Sequence, residues 1–223
     1  MDKLIEYCQA RYQEEVGFKF GLANIFAWFF FVTAIYVRYE LNGDSAIAGF
    51  NGVKVKSLID LSEGVIPSLT MMQLMISIAF VLVVVWLARK LGEGLFYLFC
   101  LKSDFQKLIV DMTILYSQHK DNVAAKKDLG ISAKTELEKN QQKLKRSRVL
   151  AEMFLAMACC CISVFRFDFF NVSLVIGCFM VFLVFIWRSF HYFISDVLPY
   201  FVAIRYSADQ LTLIQDSFSA SQD

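Results

Sequence analysis

GVIPSLTMMQLMISIAFVLVVVWLA, residues Gly64 to Ala88, carries no charged side chain and closes on the run Phe80-Val81-Leu82-Val83-Val84-Val85-Trp86. Crossing a hydrocarbon core about 30 Å thick takes roughly 17 to 25 apolar residues in a helix, and this stretch has that length. Inside a bilayer every backbone N–H and C=O must find a partner within the chain, which an α-helix provides. Its apolar residues are continuous rather than alternating in segments of about ten, so the β-barrel reading fails. Gly64 to Ala88 therefore predicts a membrane span.

Three further stretches resemble it. Gly21 to Val37 is uncharged and aromatic (Phe26, Trp28, Phe29, Phe30, Phe31, Tyr36), and Phe169 to Trp187 is equally clean. Val149 to Phe165 includes Glu152, which lies within a turn of Arg148 and can pair there or reach the interface. Hydrophobic residues make up 57% of the 223-residue chain and charged residues 19%, more apolar surface than a water-soluble fold of this size can cover. The first apolar run follows a mixed-charge stretch containing Asp2, Glu6, Glu14 and Glu15, with Tyr36-Val37-Arg38-Tyr39 after it. It reads as a retained helix rather than a cleaved signal peptide.

The expected fold class is an all-α membrane protein, a bundle of four transmembrane helices at 20–38, 64–88, 149–165 and 169–188. Residues 166–168 make a tight outer turn, so the last two spans form a helical hairpin. Between Arg89 and Arg148 lie 13 Lys and Arg, whereas the loop 39–63 carries only Lys54 and Lys56 against four acids. The positive-inside rule then puts 89–148 and both termini in the cytoplasm. An N-terminal helix (1–19), an interfacial C-terminal helix (189–216) kinked at Pro199 and a disordered tail (217–223) complete the expected organisation. The outer loop has Asn42-Gly43-Asp44 and Asn51-Gly52, which read as turns of a short two-stranded structure. The sequon at Asn171 begins a span and is expected to stay unmodified.

The segment 89–148 is expected to form a cytoplasmic helical hairpin. Leu91–Leu101 is apolar and aromatic but interrupted by Gly92 and Gly94, and reads as an interfacial helix or an extension of the second span. Phe105, Leu108, Ile109, Met112 and Tyr116 recur at helical spacing and mark a partner-docking face. Gly130 reads as a break, with a second helix capped at Ser132. Leu137 and Leu144 lie a heptad apart, too few positions to define a coiled coil. Lys139, Lys143, Lys145, Arg146 and Arg148 abut the third span and are read as contacts to anionic lipid headgroups. No aromatics interleave with these charges, so no nucleic acid is expected.

Chemistry-bearing motifs are missing: no phosphate loop, no HExxH, no GxSxG. The six cysteines (Cys8, Cys100, Cys159, Cys160, Cys161, Cys178) form no CxxC pair and read as small apolar packing residues. His191 and Asp196 read as an interface pair rather than a catalytic dyad. No catalytic residue, cofactor or metal is expected. The ionisable residues nearest the spans (Glu152, Arg166, Asp168, Arg188, Asp196) sit at span ends, which argues against a proton relay. Asn24, Thr33, Gln73 and Ser77 either line a pore or join helices.

The sequence therefore favours a non-enzymatic membrane subunit that anchors or senses for a cytosolic protein partner and self-associates. Its composition suits a bacterial inner-membrane component of phage defence or toxin immunity. A homo-oligomeric pore, or membrane-depolarising effector, is the first alternative and a lipid-modifying enzyme the second.

Overall fold

The computed structural model describes residues 21–41, 45–54, 56–57, 60, 64–102 and 123–207. These form α1 (Leu22–Tyr39), α2 (Ala46–Gly52), α3 (Met71–Lys102), α4 (Val123–Val164), α5 (Phe169–Tyr192), a π-helical segment (Phe193–Val197) and α6 (Leu198–Ser207). No strand occurs among the described residues. α1, α3, α4 and α5 with its continuation are each long and apolar enough to cross a membrane. The chain is an all-helical protein built for a membrane. The expected N-terminal helix 1–19, the tail 217–223 and Cys8 lie outside the described residues.

The described residues divide into two compact units. The first holds 21–91 and 149–185, the second 92–102, 123–148 and 186–207. α3, α4 and α5 each contribute to both.

In the first unit, α1 is buried at Ala27 on one side and all round from Phe31 to Ile35, so its C-terminal half is enclosed by its neighbours. Phe31 stacks on Phe80 of α3 with ring centroids 3.9 Å apart. Small residues allow close approach: Ala34, Ala156 and Cys160 are almost fully buried. Trp28 donates its indole N–H to the Ser77 hydroxyl at 2.9 Å, which in turn donates to the Leu74 carbonyl. The outward side chains are apolar, with Leu82, Trp86, Ile176 and Val184 among the exposed.

Two expectations are corrected here. The second span does not begin at Gly64: residues 64–70 form turns, and α3 starts after Thr70. Thr70 and Gln73 form a reciprocal capping box, the Thr70 N–H donating to Gln73 Oε1 at 2.9 Å and the Gln73 N–H to Thr70 Oγ1 at 3.3 Å. Residues 46–52 are helical rather than two-stranded. The Ala46 N–H donates to Asn171 Oδ1 at 3.0 Å, and Phe50 stacks on Phe30, so tertiary partners override the turn-forming Asn51-Gly52 pair. Asn171 also donates through Nδ2 to the Arg166 carbonyl and is buried. Its amide is thereby engaged on both sides.

Gly130 does not break the chain; α4 runs through it unbroken. A Cβ at Gly130 would collide with the Ser207 side chain of α6 within the second unit, so glycine serves close packing there. Gly92 and Gly94 likewise sit inside continuous α3.

Candidate functional site

The second unit has an aromatic core of its own. Its core draws on three distant stretches: Phe96 and Cys100 of α3, Leu137 and Leu144 of α4, and Phe190 with Phe193 where α5 enters the π segment. The aromatic rings meet edge-on, Phe96 against Phe190 at 5.3 Å and Phe99 against Trp187 at 4.8 Å, the geometry that ring quadrupoles favour. The end of α5 thus packs on the extension of α3.

α4 contributes a stripe that its composition conceals. Its buried positions Ala133, Leu137, Asn140, Leu144 and Arg148 repeat at three and four residues, the spacing of a coiled-coil seam. Only two of the five are leucines, so the stripe reads as polar in sequence.

Asn140 reaches across to the π segment and donates its Nδ2 to the Asp196 carbonyl at 3.1 Å. The π turn itself follows from Pro199. Proline has no N–H to give, and its ring crowds the carbonyl four residues back. The Leu198 N–H bonds to the Phe193 carbonyl five residues earlier, widening the helix at that point. The π segment lies just before Pro199, and the helix continues beyond it. Ser189 donates to Ser147 at 3.1 Å, a second polar tie between α5 and α4.

The basic residues separate into two kinds. Lys139, Lys143, Lys145 and Arg146 are exposed, and Lys139 pairs with Glu136 at 3.6 Å. Arg148 is 9% exposed, and its guanidinium packs where a Cβ on Gly92 would meet it at 3.3 Å. It faces inward, unlike the other four. Gly92 leaves room for it.

The polar residues read as pore or helix-interface candidates are all turned inward or engaged. Asn24 and Thr33 are buried, and Thr33 Oγ1 donates to the Phe29 carbonyl at 2.8 Å. Ser77 is buried against Trp28, and Gln73 caps α3. The docking face Phe105, Leu108, Ile109, Met112 and Tyr116 lies outside the described residues.

His191 and Ser195 approach to 3.3 Å one helical turn apart on an exposed surface. Asp196 meets Asn140 through its backbone carbonyl. Among the described residues, no group of three or more His, Cys, Asp or Glu is placed to hold a metal ion. Cys159 is half-buried and Cys160, Cys161 and Cys178 are buried in the first unit, all as free thiols. Compared with protein-family models, with curated proteins and with solved structures, the chain finds no match.

Proposed function

We propose that this protein is a membrane-embedded subunit without catalytic activity of its own, holding or sensing a cytosolic protein through the second unit. The observation that carries the reading is that unit: three helices also used by the membrane-length unit supply a separate aromatic core. The surface of α4 there is cationic, with Lys134, Lys139, Lys143, Lys145 and Arg146 exposed. A core of this kind, held by Asn140 and the Ser147–Ser189 pair, supports a fixed surface rather than a solvated linker.

The positive-inside rule favours a cytoplasmic segment 89–148 and an extracytoplasmic loop 39–63. The amphipathic pattern of Phe105, Leu108, Ile109, Met112 and Tyr116 supplies the docking face in this reading. Self-association and a place in bacterial defence or toxin immunity belong to the same proposal, and rest on composition alone.

Changing Leu108, Ile109 and Met112 to Ser tests it. The variant is expected to insert normally and to lose its cytosolic partner. Undiminished capture by an inserted variant would remove this face from the proposal.

A further inference from the structure

The first unit contains a groove that the proposed function does not use. It lies beneath α2, has a volume of about 810 Å³, and is walled by Phe30, Phe50, Met157, Phe170 and Leu174. That volume falls within the roughly 300–1,000 Å³ typical of small-molecule sites. Phe50 stacks on Phe30 with centroids 4.9 Å apart, so two of the lining rings form one aromatic face. Polar lining comes from Ser45 and Asn51, which flank α2 at its start and within its last turn. Asn171 does not extend into the groove as a free amide, because both ends of its side chain are bonded to backbone.

We propose that this groove binds one acyl chain of a bilayer phospholipid, with Ser45 and Asn51 toward the headgroup. Depth supports this occupant. At about 1.5 Å per residue, Met157 lies about 10 Å inside the Val164 end of α4, and Phe30 about 13 Å inside the Tyr39 end of α1. The groove therefore extends from the helix ends to the level of hydrocarbon tails in a membrane. Away from Ser45 and Asn51 the lining side chains are apolar, so the deeper part of the groove offers water no side-chain partner. Two lining residues open it outward: Ile47 is 58% exposed and Phe170 is 64% exposed. A lipid tail entering past them replaces contact with bulk lipid by contact with fixed aromatic rings. The stacked rings favour a flexible apolar chain over a charged or strongly polar ligand.

Full-length protein in phosphatidylethanolamine and phosphatidylglycerol vesicles, doped with a phospholipid carrying a diazirine on its acyl chain, provides the test. After irradiation, peptide mapping is expected to find label enriched several-fold on Ala46–Gly52, Met157 and Phe170–Leu174 over Leu82–Trp86, whose Leu82 and Trp86 are exposed. Equal labelling of the two regions would mean bulk lipid contact only and would overturn the proposal. A groove left unlabelled while Leu82–Trp86 is labelled, as a second copy covering it would cause, would overturn it as well. Leu174→Trp narrows the groove and is expected to lower its label several-fold while Leu82–Trp86 keeps its own. Undiminished groove labelling in an inserted Leu174→Trp protein counts against the site. If that variant does not insert, the wild-type map alone decides.

Discussion

Asn140 ties α4 to the π segment within the second unit. Its side chain donates to the Asp196 carbonyl, at the turn that Pro199 forces out of α-helical pattern. Asn140→Ala removes that part-buried hydrogen bond, a cost of about 0.5–1.5 kcal/mol. Thermal unfolding is expected to fall by about 2–4 °C per kcal/mol; an unchanged midpoint would show that water or another donor takes its place. The glycines separate equally sharply. Gly94 has open space around its Cα, so Gly94→Ala is expected to stabilise α3 by about 0.5–1 kcal/mol. Gly130→Ala drives a methyl into Ser207 and is expected to cost about 1–3 kcal/mol. If the two alanine variants unfold together, the close approach of α4 and α6 is not maintained in solution. Gln73 shows why a residue can be placed in the wrong setting from sequence. Once the span is started at Gly64, Gln73 falls at membrane depth and looks like a pore candidate. The Thr-x-x-Gln spacing before the apolar run marks a helix start and was present in the sequence throughout.

Among elements, the long apolar helices were legible because hydropathy alone specifies them. α1 and α5 begin within two residues of where their apolar runs begin. α4 was not legible as one helix. Its glycine and its polar stretch suggest a break, yet Gly130 packs against Ser207 and the buried stripe includes Ala133, Asn140 and Arg148. A reading that counts only leucines and aromatics misses a seam made partly of small and polar side chains. α2 failed for the opposite reason, since Asn51-Gly52 is a strong local turn signal and the contacts that override it come from Asn171 and Phe30. Those partners are remote in sequence. The capping box makes a prediction at this scale: Thr70→Ala is expected to lower stability by about 0.5–2 kcal/mol by freeing the first turn of α3. Hydrogen exchange at Met71–Leu74 measures it, and unaltered protection there would mean that the membrane or the preceding turns hold the helix start.

For the whole molecule, four membrane-length helices follow from composition, whereas the second unit does not. Its core joins Phe96, Leu144 and Phe193, which no local pattern brings together. The candidate site was accordingly half visible: the basic run was read correctly as a run, but Arg148 belongs to the interior and the other four cations to the surface. Orientation is testable directly. A reporter inserted after Gly52 is expected on the extracytoplasmic side and one fused after Asp223 in the cytoplasm, and a shared compartment would contradict the loop-charge argument. The central claim is that the chain holds a cytosolic protein. Gentle-detergent purification of the full chain from its native host, alongside the Leu108/Ile109/Met112→Ser variant, tests it most directly, with every eluted species sized and identified. One soluble protein in stoichiometric amount is expected with the wild type and none with the variant. A homo-oligomer that elutes alone and conducts in a planar bilayer would contradict it.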